Sequence, residues 1–152
     1  MNFDKLLCLE QNDKIEICGN VFDVLSKTTY MTLDSTDEYV KYILSGHRIL
    51  VVIPADEFVY LGEIVSDFEK GKMFSKELEY NGKTFTQIAS DYQVVKFVEF
   101  GDPREVEGEV LWADYTCDDD ENTYISCAYV PKTDSRADIV GLVVDAKNIK
   151  KL

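Results

Sequence analysis

The sequence predicts a mainly β fold with little helix, in which antiparallel strands form two similar halves of a sandwich or a pair of small, partly open barrels. Aromatic residues make up 12% of the chain, and Tyr, Phe, Val, Ile and Thr favour strands. Asn81-Gly82 lies between alternating segments, which is the strongest short signal for a β-hairpin. Gly19 lies in a similar segment near the N-terminus.

The segments around Gly19 and Gly82 match when they are aligned on the two glycines. Apolar or acidic residues then coincide on both sides of the turn: Ile15 with Leu78, Glu16 with Glu79, Phe22 with Phe85, and Leu25 with Ile88. A shared turn with apolar residues in register predicts one β unit that is used twice.

The length of 152 residues fits a single compact domain covering residues 1–152. A chain of this size buries enough surface to fold without a metal or a disulfide. The two similar halves are predicted at about 12–66 and 77–144. The charged, glycine-containing segment Asp67–Lys76 would join them.

In the first half, residues 1–13 are predicted to form a short helical turn or a strand. Lys14–Met31 is predicted to form a hairpin, the apolar run Arg48–Ile53 a central buried strand, and Phe58–Val65 the following strand. Helical spacing of the apolar residues in 56–68 leaves a helix there as the alternative.

Residues 36–45 are ambiguous. Ser35 and Glu38 form a capping box and Gly46 suits a helix end, which together favour a helix. The strand formers between Glu38 and Leu44, and the absence of a clean polar face, favour a strand. We expect the strand.

The second half is predicted to contain a series of short strands: Glu77–Tyr80, Lys83–Ala89, Tyr92–Phe100, Glu107–Tyr115, Thr123–Val130 and Ile139–Val144. Between and after them we expect a turn at Gly101-Asp102-Pro103, an acidic loop at Cys117–Asn122, a polar loop at Lys132–Asp138, and a basic tail with Lys147, Lys150 and Lys151. Frequent turn signals between short strands are typical of sandwiches and small barrels.

The net charge of −13 argues against binding to nucleic acid or to an anionic membrane, since like charges repel. A basic protein or peptide could be attracted. Leu6-Leu7-Cys8-Leu9 is too short for the core of a signal peptide, and no interior apolar run is long enough for a membrane span. We therefore expect a cytoplasmic protein.

The four cysteines are Cys8, Cys18, Cys117 and Cys127. None of them shows the C-x-x-C spacing of zinc or redox sites. Reduced, partly buried thiols are the expectation.

Few residues suggest catalysis. His47 is the single histidine and lies at a turn, so any Ser-His-Asp or Cys-His arrangement would require it. A surface turn residue is the simpler interpretation. No nucleotide-cradling motif or H-E-x-x-H occurs, and no cofactor is expected.

The acidic run Asp118, Asp119, Asp120 and Glu121 could gather a hard cation such as Ca²⁺. It lacks the ligand spacing, glycine and distal glutamate of an EF-hand. A solvated hairpin tip is the preferred interpretation, so no metal is expected.

Glu38 and Glu109 each begin a predicted strand at similar places in the two halves. Two carboxylates can divide acid and base roles when their environments separate their pKa values. The alternative is that each one fixes the start of its strand. Aromatic residues of the second half could line a groove, although such residues more often fill a core: Trp112, Tyr115, Tyr124 and Tyr129.

Five short motifs occur in an order that resembles a bacterial family, domain-of-unknown-function family 4178: Gly19-x-x-Phe22, Glu38-Tyr39-Val40, Leu50-Val51-Val52, Gly82-x-x-Phe85 and Gly108-Glu109-x-x-Trp112. The resemblance spans about residues 12–130. The chain departs from it at Thr36-Asp37, where a Trp is frequent, and at Ile49, where Trp-Leu-Val is common. The resemblance implies a mostly β fold and cytoplasmic residence, and it carries no assigned activity.

The sequence thus favours a non-enzymatic module that binds a protein through its sheet edges or aromatic surface. One version is an acidic, immunity-like protein that masks a basic target. The alternative is a small enzyme that uses Glu38 and Glu109 as a carboxylate pair.

Overall fold

The computed structural model describes residues 1–32, 37–101 and 108–152, with the side chains of residues 32 and 91–99 left out. This part of the chain is mainly β with little helix, as predicted. It contains one short helix and eleven strands: α1 (Phe3–Leu7), β1 (Lys14–Ile17), β2 (Asn20–Thr32), β3 (Glu38–Leu44), β4 (Arg48–Ile53), β5 (Phe58–Val65), β6 (Glu77–Tyr80), β7 (Lys83–Phe100), β8 (Gly108–Cys117), β9 (Asp120–Val130), β10 (Ser135–Val143) and β11 (Ile149–Lys151).

The strands form one antiparallel sheet instead of two separate barrels. Its order is β11-β1-β2-β3-β4-β5-β10-β9-β8-β7-β6. β2 also pairs with β7, so β2 has β3 on one side and β7 on the other. The pairings β2–β7 and β5–β10 both join the first half of the chain to the second.

The two predicted glycine turns have the same backbone conformation. Cys18 and Gly19 have φ values of 49° and 83°, and Asn81 and Gly82 have φ values of 50° and 75°. Positive φ at both central residues is the type I′ geometry that matches the twist of a hairpin. The matched residues also take equivalent places in the two hairpins, since Ile15 faces Phe22 in β1–β2 and Leu78 faces Phe85 in β6–β7.

A second loop type also occurs once in each half. A 3₁₀ turn at Pro54–Asp56 joins β4 to β5 and ends at Glu57 with a φ of 49°. A 3₁₀ turn at Pro131–Thr133 joins β9 to β10 and ends at Asp134 with a φ of 48°. Proline suits the first position of such a turn because its φ is already fixed there.

Two apolar clusters cover the sheet on the faces away from the cavities described below. The first packs α1 and β1 against β3, β4 and β5, and the Tyr42 hydroxyl donates to the Leu6 carbonyl across it at 2.8 Å. The second packs the 66–76 segment and the β6–β7 hairpin against β8 and β9, with Phe85 and Tyr115 at its centre. The segment Asp67–Lys76, which was predicted to join the two halves, therefore packs into the second cluster.

Several predicted boundaries are confirmed and others are wrong. Glu38–Leu44 and Phe58–Val65 are strands, and residues 3–7 form the helical turn. Ser35, which would have capped a helix, and Asp102-Pro103 of the predicted turn lie outside the described residues.

The predicted polar loop Lys132–Asp138 is wrong in its second part, because β10 begins at Ser135. The polar residues that suggested a loop are buried there as a pair. The Arg136 Nε donates to the Asp138 Oδ1 at 2.9 Å, and its Nη1 donates to the carbonyls of Gly71 and Met73. Pairing satisfies charges that would otherwise be too costly to bury.

Three further boundaries differ. β9 begins at Asp120, so the predicted acidic loop Cys117–Asn122 is reduced to a turn. β7 runs without interruption from Lys83 to Phe100. The predicted basic tail contains β11, which pairs with β1, and its Lys151 contacts Asp13 at 2.7 Å. No helix among the described residues has the length and apolar character needed to cross a membrane.

Candidate ligand-binding cavities

Glu38 and Glu109 are both exposed and lie three strand spacings apart. Glu38 faces Met31 of β2, Met31 faces Val94 of β7, and Val94 faces Glu109 of β8. At about 4.8 Å per strand, the path along the sheet between their Cα atoms is about 14 Å. Neither residue lines either of the cavities described below, so this geometry gives the carboxylate pair no support.

The acidic run lies at the β8–β9 turn. Asp118, Asp119 and Glu121 are exposed. Asp120 accepts a hydrogen bond from the Thr123 hydroxyl at 2.7 Å and contacts the Lys83 Nζ at 3.3 Å. These contacts, led by the Thr123 bond, lower the pKa of Asp120. No group of three or more potential metal ligands is found in the described part of the chain.

His47 lies at the exposed β3–β4 turn with a φ of 59°. Of the cysteines, Cys8 and Cys18 are exposed and Cys117 and Cys127 are buried, and all four are free thiols. Burial raises the pKa of Cys127 far above its ordinary value, which keeps this thiol protonated and unreactive.

The structure contains a cavity that the sequence patterns did not predict. We call it the Asp114 cavity; it has a volume of about 390 Å³. Residues from β3, β4, the Pro54–Asp56 turn, β5, β7, β8, β9 and β10 line it: Tyr39, Val51, Ile53, Asp56, Phe58, Tyr60, Ile88, Trp112, Asp114, Thr116, Glu121, Tyr124, Ser126 and Val143. Its volume and its apolar walls with few polar groups are those of a site for a small molecule.

Three aromatic rings form one wall of the Asp114 cavity. The ring centroids of Phe58 and Tyr124 are 4.9 Å apart, those of Tyr60 and Tyr124 are 5.1 Å apart, and those of Phe58 and Tyr60 are 5.9 Å apart. Gly141 makes this arrangement possible. A Cβ at that position would lie 2.8 Å from Cδ2 of Tyr60, so any larger residue would displace the ring.

Asp114 is the carboxyl group at this wall. The Tyr124 hydroxyl donates to its Oδ2 at 2.6 Å, and Ser126 faces Asp114 across β8 and β9. Burial nevertheless raises the pKa of Asp114 to about 6, because a charged carboxylate is less well solvated here than in water. Its negative charge adds to the effect of burial in raising the pKa of Tyr60 and of Tyr124.

Alternation along β8 and β9 explains why these residues share one face. Trp112, Asp114 and Thr116 alternate on β8 and point to the cavity, whereas Ala113 and Tyr115 pack into the opposite cluster. The four aromatic residues that were predicted to line one groove therefore lie in three different places. Trp112 and Tyr124 line the cavity, Tyr115 is in the opposite cluster, and Tyr129 donates to Asp134 at 2.6 Å.

The indole nitrogen of Trp112 is buried and has no hydrogen-bond partner. A buried donor without an acceptor costs about 1–3 kcal/mol.

A second cavity, the Lys41 cavity, adjoins the first and has a volume of about 620 Å³. The two cavities share four lining residues: Tyr39, Val51, Tyr60 and Ser126. At the far end of the Lys41 cavity lie the β3–β4 turn with Gly46 and His47 and the start of β10 at Ser135.

Lys41 projects from β3 among aromatic rings. Its Nζ lies 5.3 Å from the centroid of the Tyr30 ring, a distance at which a cation is attracted to a ring face. Tyr30 in turn stacks on Tyr39 with centroids 4.8 Å apart and planes 4° from parallel. Stacking holds both rings in place.

The sequence contained one signal for this site that could have been used. In β8, the acidic residue Asp114 shares its strand face with Trp112, two residues away, and an ionisable residue among strand formers is unusual unless it has a partner or a role. Which strands would lie opposite it depends on pairings between distant parts of the chain.

Comparison of the chain with protein-family models, curated proteins and solved structures gives no match. The resemblance to family 4178 therefore stays a prediction.

Proposed function

We propose that the chain is a non-enzymatic binding module whose site is the Asp114 cavity, and that its ligand is a small organic cation. The observation that supports this most is a carboxyl group held at an aromatic wall inside a cavity of about 390 Å³. The sequence led us to expect a module that binds a protein, and this proposal replaces that partner with a small molecule.

A cation fits this wall for two reasons. A carboxylate offers about four lone-pair sites, and the bond from Tyr124 leaves sites for a ligand. The faces of Phe58, Tyr60 and Tyr124 carry partial negative charge that attracts ammonium groups. An amine bound here would also stabilise the charged form of Asp114, which burial alone disfavours.

The charge around the cavity supports the same ligand class. The charged residues described in its lining are Asp56, Asp114 and Glu121, all of them acidic. The net charge of the whole chain is −13. Such a field raises the local concentration of cations and speeds their association.

Trp112 makes the proposal testable, since it is the single tryptophan of the chain and lines the cavity. Arylalkylamines, quaternary ammonium compounds and neutral aromatic compounds would be titrated while Trp112 fluorescence and Tm are recorded. We expect a saturable fluorescence change and a higher Tm with the cationic compounds, because a ligand that binds the folded state stabilises it.

Asp114→Asn should weaken binding of the cation by about tenfold or more, because it removes a charge-assisted hydrogen bond. Asp120→Asn is the matched control, since Asp120 lies at the neighbouring turn and outside the cavity lining. The proposal fails if no compound changes the fluorescence at millimolar concentration, or if both variants bind equally well.

A second candidate is the protein-binding module predicted from the sequence. β6 lies at one end of the strand order, with Glu77 and Glu79 exposed, and an extended basic peptide could add to such an edge. The strand has only four residues, and short charged edges are also how proteins prevent such pairing. The immunity-like version requires the same acidic surface and a basic target.

A peptide-addition experiment separates the two candidates. A basic peptide that binds at the β6 edge should perturb backbone amides of β6 in NMR spectra and leave Trp112 fluorescence unchanged. Perturbation confined to the cavity residues would instead support the small-molecule site.

A further inference from the structure

The Lys41 cavity is walled mainly by apolar side chains. Examples from β3, β4, β8, β9 and β10 are Ile43, Ile49, Val110, Ala128, Val130 and Ile139. Protein interiors leave few voids larger than a water molecule, whereas this cavity has a volume of about 620 Å³. An apolar space of that size is suited to the apolar part of a ligand.

One face of β9 runs from the first cavity into the second. Alternate residues of a strand lie on the same face. Along this face Tyr124 lines the Asp114 cavity, Ser126 lines both cavities, and Ala128 and Val130 line the Lys41 cavity. The two cavities therefore follow one another along a single strand.

β4 and β8 follow the same course. On β4, Ile53 lines the Asp114 cavity, Val51 lines both cavities, and Ile49 lines the Lys41 cavity. On β8, Val110 lines the Lys41 cavity and lies four residues before Asp114, on the same face. At about 3.4 Å per residue, about 14 Å of strand separates the Cα atoms of these two residues. A ligand anchored at Asp114 can extend along these faces for roughly that length.

The charged groups of the Lys41 cavity have interactions within the protein. The Nζ of Lys41 lies 5.3 Å from the centroid of an aromatic ring. Arg136 is paired with Asp138 at 2.9 Å, and Arg48 contacts Glu63 at 3.9 Å. None of these contacts calls for a charged group on the ligand, so the walls favour an apolar extension.

We propose that the ligand is an amphiphilic amine, with its ammonium group at Asp114 and an unbranched apolar chain that passes Tyr60 and Val51 into the Lys41 cavity. This inference rests on the proposed function and specifies the ligand of the same site. The direction of binding follows from the walls. The ammonium group gains from the carboxylate and the aromatic rings at one end, and the chain gains from leaving water at the other.

A series of compounds that differ in chain length tests the inference. The probes are butylamine, hexylamine and octylamine, with 1-octanol as the uncharged compound of the same chain length, all below the concentrations at which they self-associate. Trp112 faces Ala128 across β8 and β9, so its fluorescence is sensitive to substitutions there. Isothermal titration calorimetry therefore gives the Kd of each compound.

We expect the affinity to rise about threefold to fourfold with each added methylene group, because each group that enters the cavity leaves water. Octylamine should then bind at least about fiftyfold more tightly than butylamine. Asp114→Asn should weaken all three amines by a similar factor, about tenfold, and leave 1-octanol unchanged.

Substitutions that fill the Lys41 cavity separate chain binding from adhesion to the surface. Ala128→Leu should weaken octylamine by about tenfold or more and leave butylamine unchanged, because the larger side chain occupies the space of the chain. Val130→Phe is a second variant with the same expected effect, and thermal unfolding checks that each variant is folded. Ala55→Leu is the matched control, because Ala55 is exposed and lies outside both cavity linings.

The inference is overturned if octylamine binds no more tightly than butylamine, or if neither filling variant weakens octylamine. In those cases the cation site at Asp114 survives and the proposed function with it. Equal binding of 1-octanol and octylamine overturns both, since the charge would then contribute nothing. Absence of binding by the whole series also overturns the inference, and the proposed function is then decided by the arylalkylamines and quaternary ammonium compounds.

Discussion

The two halves of the chain share one pattern of turns and strand pairings, but the side chains that they contribute to the cavities differ. Each half has a type I′ turn at its first hairpin, at Gly19 and at Gly82, and a 3₁₀ turn that begins at a proline, at Pro54 and at Pro131. Because β3 pairs with the strand before Pro54 and β8 with the strand before Pro131, their residues can be compared position by position.

Measured from the two prolines, Lys41 occupies the position of Trp112, and Ile43 occupies the position of Asp114. All four line a cavity. The strand pairing and the turns are thus common to the two halves. The charges of the side chains that line the cavities differ between the halves at these matched positions. The two halves therefore differ in the side chains at matched positions of a shared backbone pattern.

The largest expected difference is at Phe22 and Phe85, which occupy matching positions in the two hairpins. Phe85 is 1% exposed at the centre of its cluster, whereas Phe22 is partly buried. Phe85→Ala should lower the free energy of unfolding by about 3–4 kcal/mol through lost burial and the cavity left behind. Phe22→Ala should cost about half as much, because less area is buried.

Urea unfolding followed by circular dichroism measures both values. Equal losses would show that the two hairpins contribute alike, and the comparison of their clusters would then be wrong.

The next prediction concerns two aspartates of the second half, the buried Asp138 and the partly buried Asp114. Asp138 is fully buried. Its carboxylate accepts one hydrogen bond from Arg136 and a second from the backbone amide of Phe68 at 2.7 Å. Asp138→Asn should destabilise the fold by about 3 kcal/mol, because removing one partner leaves the other charge buried and unpaired. Arg136→Met together with Asp138→Asn should recover part of that loss, and chemical denaturation of the single and double variants measures it.

Asp114→Asn is expected to act in the opposite direction and to raise stability at pH 7 by about 1–2 kcal/mol. The pKa of Asp114 is about 6 in the folded protein against 3.8 ordinarily, so the folded state holds this proton more tightly than the unfolded state. The charged carboxylate therefore destabilises the fold above about pH 6, and the penalty disappears as the pH falls towards 4.

The free energy of unfolding of both proteins, measured at pH 7, 5 and 4, checks this. The advantage of the variant should be largest at pH 7 and absent at pH 4. A variant less stable than the original chain at pH 7 would show that the hydrogen bonds to Asp114 outweigh its burial.

The local features of the fold were predictable from the sequence, and the long-range ones were not. Asn81-Gly82 indicated its hairpin because positive φ at two successive residues strongly favours these types. The Arg48–Ile53 run indicated a strand that is buried on both faces, as it is over Ile49–Val52. The polar stretch around Arg136 misled the prediction, since Arg136 is paired with Asp138 and also donates to carbonyls more than sixty residues away.

The sequence did not predict the cavity, because the residues that line it come from strands that are distant in the chain. Asp114, Tyr60 and Tyr39 lie on β8, β5 and β3, and these strands are joined through the pairings β3–β4, β4–β5, β5–β10, β10–β9 and β9–β8. Alternation predicts which face of a strand is buried, but it does not predict which distant strand lies opposite. For Glu38 and Glu109, the sequence predicted that they occupy matching positions in the two halves. It did not predict how far apart they lie, because that depends on the pairings of β3, β2, β7 and β8.

The smallest expected effect lies at the hairpin turns, where Cys18 and Asn81 occupy equivalent positions. Both have φ near 50°, a conformation that asparagine adopts more readily than cysteine because its short polar side chain can bond locally. Both side chains are exposed, so burial does not complicate the exchange. Cys18→Asn should stabilise the chain by about 0.5 kcal/mol, and Asn81→Cys should destabilise it by a similar amount. Thermal unfolding under reducing conditions measures both; shifts of the same sign would mean that the neighbours of each turn, and not the backbone conformation that the turns share, determine the preference.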